Sequence, residues 1–458
     1  MNDLAIVICN YNKRDFVLGC IKSVFQSDYL DFDVFVVDNA STDGSAEAIQ
    51  REYGERVTLL INDVNTGGSG GFNRGMRAVI NCDVYKYVIL LDNDTVVKKD
   101  MIRMLRCYMD QHPETGICGA AIFQMDNPKI TQEMGALISF DEFTNKPLYH
   151  QASLNELPTF VECDYVAFCS AIIRADVLQK VGLMESGYFI YGDDMEFCWR
   201  VRNAGYRVHA ISSAVVYHKM SSPKHETTFS VYYFFRNKTN CFARHTNDSE
   251  FTILPEIVTK RFYRIMVCNQ DNAPVISTYM HALNDVLNGV TGKADNNKIV
   301  PVCTERKWHS LVKGKSNILI HYDPVFIKID VLLSQLQELC DAKLTVVTYG
   351  ADLSHFNSAD AIFVTEKTPD TQYDLEITVC YHVLDLPFES ISFTEGKTLI
   401  YDNYENTIAD RADILVFQNY EENYALFRTM LYPFIKEKLR IIRENYHAEA
   451  FDHSPSFQ

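Results

Sequence analysis

The first hundred residues switch repeatedly between short apolar runs and stretches with amphipathic helical spacing, and this alternation limits the possible folds more than any other feature. Residues 4–9, 34–37, 57–61 and 87–91 read as strands, and segments 16–26, 45–53 and 72–80 between them read as helices. Strands joined by helices run parallel, and a parallel sheet needs helices on both faces. In such sheets ligands gather beyond the carboxyl ends of the strands. Each strand here ends in polar residues: Asn10-Tyr11-Asn12, Asp38-Asn39, Asn62-Asp63 and Asp92-Asn93-Asp94. One such ending is ordinary loop composition; four in register mark a sheet edge where chemistry is expected.

At 458 residues the chain is long enough for two or three domains. The expected division is a catalytic domain over 1–245, a helical extension over 246–315 and a Rossmann-like accessory domain over 316–458. Candidate strands of the last are 318–322, 344–348, 362–365, 377–380, 399–401 and 414–417, with no glycine-rich phosphate fingerprint among them. The fold class is therefore α/β: a mixed, mainly parallel sheet, a helical segment, then a second α/β domain.

A net charge of −17 argues against a nucleic-acid surface, which needs clustered Lys and Arg. It suits an anionic ligand held locally by a metal and backbone amides. The thirteen cysteines are odd in number and form no CxxC pair, which points to reduced thiols. Met-Asn-Asp-Leu leads directly into a strand, and no apolar run reaches the roughly 20 residues of a membrane span. A cytoplasmic location is expected, with peripheral contact at the inner face of the plasma membrane through Lys260, Arg261 and Arg264. An ordinary solvated helix face is the competing reading of those three residues.

The sharpest motif is Leu90-Leu91-Asp92-Asn93-Asp94-Thr95. Extended chain alternates sides, so Asp92 and Asp94 would point the same way and offer hard oxygen ligands to Mg²⁺ or Mn²⁺ on a diphosphate. A solvated turn is the alternative, since Asp and Asn favour turns. Asn65 to Gly75 packs five glycines into eleven residues before a helix, including Gly67, Gly68 and Gly71, with Asn73 and Arg74 following. Such a run allows a close backbone approach to phosphate or sugar, against the alternative of a plain flexible loop. Asp193 and Asp194 open another helix, where a carboxylate serves either as cap or as general base. His218 closes an apolar strand and could be structural or a ligand, as could His225 and His245. Arg236-Asn237 follows an aromatic run and reads on its own as a surface pair beside a packed helix.

Taken in order, these landmarks resemble family 2 of the inverting glycosyltransferases, with the GT-A fold. The matching pieces are Asn10-Tyr11-Asn12, the stretch from Val36 through Asp38-Asn39 to Asp43-Gly44, the DxD, Asp193-Asp194, and Gly205-Tyr-Arg-Val. Thr66 to Gly75, and the run from Asp193 through Tyr217-His218 to Arg236-Asn237, are most similar to bacterial galactofuranosyltransferases and, next, rhamnosyltransferases of cell-surface polysaccharide synthesis. The resemblance covers about the first 245 residues. It implies metal ligation by Asp92, Asp94 and His218, and Asp194, beside Asp193, as base. It further implies donor contacts from Asn10, Asn12, Asp38, Asn65, Gly67, Gly68, Gly71, Asn73, Arg74, Asp92, Arg236 and Asn237. The implied donor is UDP-galactofuranose, with dTDP-rhamnose second; the acceptor is a glycan on a polyprenyl lipid. Asn93 inside the DxD and Tyr165 in place of a common Trp depart from the pattern. A scaffold, oligomerisation or acceptor-binding role is expected for the C-terminal domain. A non-catalytic sugar-nucleotide binder is the reading from another class, and a Rossmann oxidoreductase is disfavoured by the lack of GxGxxG after the first strand.

Overall fold

The computed structural model describes residues 2–219, 228–302, 305–350, 361–367, 371–388 and 391–452. The chain divides into two compact units: Met1–Val258 with Thr278–Val300 and Ile435–Gln458, and Thr259–Ser277 with Pro301–Phe434.

The first unit opens with β1 (Leu4–Asn10), α1 (Arg14–Phe25), β2 (Asp33–Asp38), α2 (Ser45–Tyr53), β3 (Val57–Ile61), α3 (Gly67–Cys82) and β4 (Tyr87–Asp92). These four strands are parallel, as expected. Leu4 to Ile8 and Tyr87 to Leu91 are completely buried, the signature of strands covered on both faces. Then follow β5 (Thr95–Val97), α4 (Met101–Gln111), β6 (Thr115–Gln124), β7 (Thr131–Glu133), a hairpin of β8 (Ala136–Ser139) and β9 (Thr144–Pro147), β10 (Phe160–Glu162), β11 (Ser170–Arg174), α5 (Ala175–Val181), α6 (Asp193–Asn203) and β12 (Arg207–His218). The sheet runs β10-β12-β6-β11-β4-β1-β2-β3, with β11 antiparallel between β4 and β6. A register shift between Ile211 and Val215 bends β12, a bulge that re-aims the strand. Its far end then pairs with β5, setting His218 opposite Thr95. Helices α7 (Thr228–His245), α8 (Asp248–Cys268) and α9 (Ala273–Leu287) follow.

Two local expectations change here. The glycine run is not a loop before the helix but its first turns, because α3 begins at Gly67. Glycine is a poor helix former, yet a Cβ at Gly71 would lie 2.3 Å from Cys9 Sγ, and one at Gly75 2.2 Å from Val7 Cγ1. Close packing of α3 on β1 overrides propensity. The second change concerns the DxD. β4 stops at Asp92 and β5 starts at Thr95, so the two carboxylates meet across a turn and not along one extended strand.

The second unit contains α10 (Lys307–Val312), β13 (Asn317–His321), α11 (Ile329–Leu339), β14 (Lys343–Val347), β15 (Ile362–Val364), β16 (Leu375–Cys380), β17 (Thr398–Asp402), β18 (Thr407–Ile408) and α12 (Arg411–Gln418). Its sheet runs β15-β14-β13-β16-β17-β18, parallel except at β18. Ile318, Ile320, Leu332, Val346, Ile377 and Leu399 fill its core. Residues 414–417, expected as a strand, are helical: the Asp410 carboxylate caps α12 by accepting from Asp413 N. A short apolar run cannot by itself distinguish strand from buried helix, and the cap decides it. The long helix α13 (Tyr420–Asp452) follows.

Candidate active site

The turn between β4 and β5 brings Asp92 and Asp94 together, and the bulged end of β12 adds His218. One ligand atom from each lies within 4.8 Å of the others, a donor set suited to a divalent cation. His218 Nε2 is 3.3 Å from Asp94 Oδ1, while its Nδ1 lies 2.9 Å from Gln132 Oε1. Donation from Nδ1–H to that carboxamide fixes the tautomer that leaves the Nε2 lone pair for a metal. Burial pushes the Asp92 carboxyl up, and the charge of Asp94 adds to this. Burial also opposes ionisation of Asp94, but His218 and Lys13 outweigh it and hold Asp94 low. Asn93 faces inward, its amide donating to Asn10 Oδ1 at 2.8 Å.

The neighbouring strand ends are bound into one network. The Asn10 amide donates to Asp38 Oδ2 and Ser41 Oγ. Asp38 also accepts from Ser41 N, and Asn12 Oδ1 from Thr42 N. Asn39, unassigned by sequence reasoning, joins β2 to the start of α3 by accepting from Asn62 and Thr66 and donating to Asn65 Oδ1 and Gly67 O. Gly67 has a left-handed φ of +76°, and any Cβ would collide with Phe189 O, so only glycine fits there. Asn73 exchanges two hydrogen bonds with Met184, whereas Arg74 is exposed.

The acidic pair starts α6 immediately after Gly192, whose φ is +79°. Burial drives Asp193 upward, with Asp194 next in effect and Asp92 contributing. Asp194 is also raised chiefly by burial; its acceptance from Met195 N at 2.7 Å works against the shift, while Glu133 and Asp92 add to it. Each carboxyl thus feels Asp92 across the site.

Arg236 and Asn237 are not a surface pair. Both are buried, and they donate to carbonyls that shape the approach to α6: Arg236 to Gly187, Tyr188 and Gly292, Asn237 to Tyr188, Ile190 and Tyr191. They hold the segment that carries Asp193 and Asp194. His245 Nε2 lies 3.0 Å from the buried Glu196 Oε1, and His225 lies outside the described residues.

Residues 5–182 match the family model described as Glycosyl transferase family 2. The matched residues lie in the first unit, and with the relatives they make the chain a glycosyltransferase. The chain is 23% identical over 270 residues to the low-salt glycan biosynthesis hexosyltransferase Agl10 of Haloferax volcanii, spanning 57% of this chain and 83% of that protein. It is 21% identical over 233 residues to an uncharacterized glycosyltransferase of Haemophilus influenzae, spanning 47% and 68%. Among solved structures, GalNAc-T7 with UDP, GalNAc and Mn²⁺ aligns at TM-score 0.46 and 12% identity over 56% of this chain and 50% of that one.

Besides Asn39, three residues of this candidate site escaped sequence reasoning. Lys13 Nζ sits 2.5 Å from Asp94 Oδ2. Gln132 orients His218, as described. Glu133 is 8% exposed, its Oε1 has no hydrogen-bond partner among the described residues, and burial pushes its carboxyl to about 7. Lys13 follows the polar end of β1 and could have been suspected there. Gln132 and Glu133 lie in an irregular stretch with no periodic signal, and only the pairing of β7 with β6 brings them in.

Proposed function

We propose that this glycosyltransferase is metal-dependent and inverting, and transfers a hexose from a nucleotide sugar to a growing cell-surface glycan. The observation that carries the reading is the convergence of Asp92, Asp94 and His218 near a carboxylate pair, Asp193 and Asp194, that burial pushes up. A divalent cation, Mn²⁺ or Mg²⁺, held by Asp92, Asp94 and His218 would neutralise charge on the diphosphate leaving group.

The chain's own groups do the rest. Asp38 and the ends of β1 and β2 form the nucleoside end of the site, and the α3 N-terminus with Gly67 and Gly68 faces the phosphates and sugar. Asp194 accepts the proton of an acceptor hydroxyl as its oxygen bonds to the anomeric carbon. The bond from that carbon to the diphosphate breaks, and the nucleoside diphosphate departs with the electron pair. Burial keeps the basicity of Asp194 above that of an ordinary carboxylate, which suits a general base near neutral pH.

UDP-galactofuranose is the first donor by motif resemblance and dTDP-rhamnose the second; the acceptor is a polyprenyl-linked glycan at the inner membrane face. The relative named for glycan biosynthesis supports the glycan acceptor. A donor screen tests this: the purified chain, Mn²⁺ and a panel of nucleotide sugars, with released nucleotide measured. Release from UDP-galactofuranose is expected. Release only from dTDP-rhamnose would move the choice to the second donor, and silence across the panel would end the reading.

A further inference from the structure

The second sheet has a binding edge of its own. Strand order β15-β14-β13-β16-β17 reverses direction between β13 and β16, which makes the carboxyl ends of these strands a topological switch point. At a nucleotide-binding edge, glycine N–H groups would follow the first strand. Here β13 is followed by Tyr322, Asp323 and Pro324. Asp323 repels an anion and Pro324 has no N–H to offer, so the edge is unsuited to phosphate.

What it presents instead is aromatic. Tyr349 after β14, Tyr381 after β16 and Tyr404 after β17 are 63%, 53% and 55% exposed, unusual for three tyrosines at one sheet end. The Tyr381 and Tyr404 rings meet edge to face at 6.0 Å with their hydroxyls 3.2 Å apart. Tyr349 stacks against His321, its hydroxyl 2.7 Å from Nδ1. β14 and β16 flank β13, so the strand ends that carry Tyr349 and Tyr381 lie roughly 10 Å apart.

The edge is also built to be rigid. The buried Asp402 carboxylate accepts from Val383 N, Tyr404 N, Asn406 N and the Asn406 amide, fixing the loops that carry Tyr381 and Tyr404. Asn403 ties the loop after β13 to the same frame, accepting from Ile327 N and donating to Val325 O. Val325 and Ile327 remain exposed beside it.

We infer that this edge binds a neutral oligosaccharide through Tyr349, Tyr381 and Tyr404. Tyrosine faces cover the apolar C–H faces of sugar rings, while the tyrosine hydroxyls and neighbouring carbonyls exchange hydrogen bonds with sugar hydroxyls. Identifying that oligosaccharide with the acceptor rests on the function proposed above. A second hold on a long acceptor then raises its effective concentration without touching the chemistry.

The test uses the full chain and a Tyr381→Ala/Tyr404→Ala variant, both exposed positions remote in sequence from the transferase residues. Immobilised neutral hexasaccharides of galactose, glucose and mannose are the probes, with UDP plus Mn²⁺ binding as the control. Binding to at least one hexasaccharide is expected, about tenfold or more weaker in the variant, with UDP binding unchanged. Absence of hexasaccharide binding by the parent, binding undiminished in the variant, or loss of UDP binding in its place would each overturn the inference. Failure of the transferase reading would show separately, as absent UDP binding by the parent.

Discussion

Asp92-Asn93 ends β4 and Asp402-Asn403 ends β17: the same dipeptide, each closing a buried parallel strand. The two aspartates have opposite surroundings. Asp402 is completely buried and satisfied by four donors, so it stiffens a loop. Asp92 lies against Asp94 and within the influence of Asp193 and Asp194, and its carboxyl is pushed up by burial. One sequence context thus yields a structural joint in one unit and a candidate metal site in the other, and the number of donors supplied by the surrounding loops makes the difference.

That contrast can be broken most sharply at Asp194, the proposed base. Asp194→Asn should lower kcat by about 10²–10⁴-fold while UDP plus Mn²⁺ binding is nearly unchanged, as read by nucleotide release and calorimetry. Loss of binding instead would place Asp194 among the donor contacts.

A second measurement sets Glu196, held by Arg200, against Asp193 and Asp194 on the same helix. Burial opposes ionisation of Glu196, but Arg200 and His245 outweigh it and hold the carboxyl at about 2, below the ordinary 4.5. A depressed carboxylate stabilises the folded state above its unfolded value. That stability, about 3 kcal/mol, is lost as pH falls from 4.5 toward 2. Urea unfolding of Glu196→Gln should show a shallower slope than the parent across that window; equal slopes would remove Glu196 from the acid response.

At the triad, Gln132→Leu should weaken Mn²⁺ affinity about 10–100-fold by freeing the His218 ring, without loss of folding. Unaltered affinity would mean that His218 is oriented by something else.

The smallest effect tests the dipeptide pair directly. Asp402→Asn should cost about 2 kcal/mol in urea unfolding, because buried N–H groups lose their acceptor. Asp92→Asn should leave stability unchanged or raised, since it relieves a crowded buried charge. Equal losses would erase the distinction.

Much of this was legible in the sequence because strands and helices have different hydrophobic periods. β1 to β4 and α2 fell within a residue of their expected bounds, and the four polar strand ends lie where the first unit's site forms. Residues 414–417 misread because four apolar residues hold too little periodicity, and a capping aspartate decided them. The glycines of α3 were noticed but misplaced. Their purpose lies in Val7 and Cys9, contacts that no local rule contains.

The order of apolar and polar residues, then, settled the α/β class, the mainly parallel first sheet and the edge where Asp92 and Asp94 lie, while the family resemblance added Asp194. Only tertiary structure decided how His218, implied by the resemblance, reaches them through the bulged β12, that Gln132 orients it, and that Arg236 is a buried support. Periodicity is a property of neighbours along the chain and survives in one dimension. Burial, donor count and charge proximity depend on residues dozens of positions apart, and these exist only once the chain has folded.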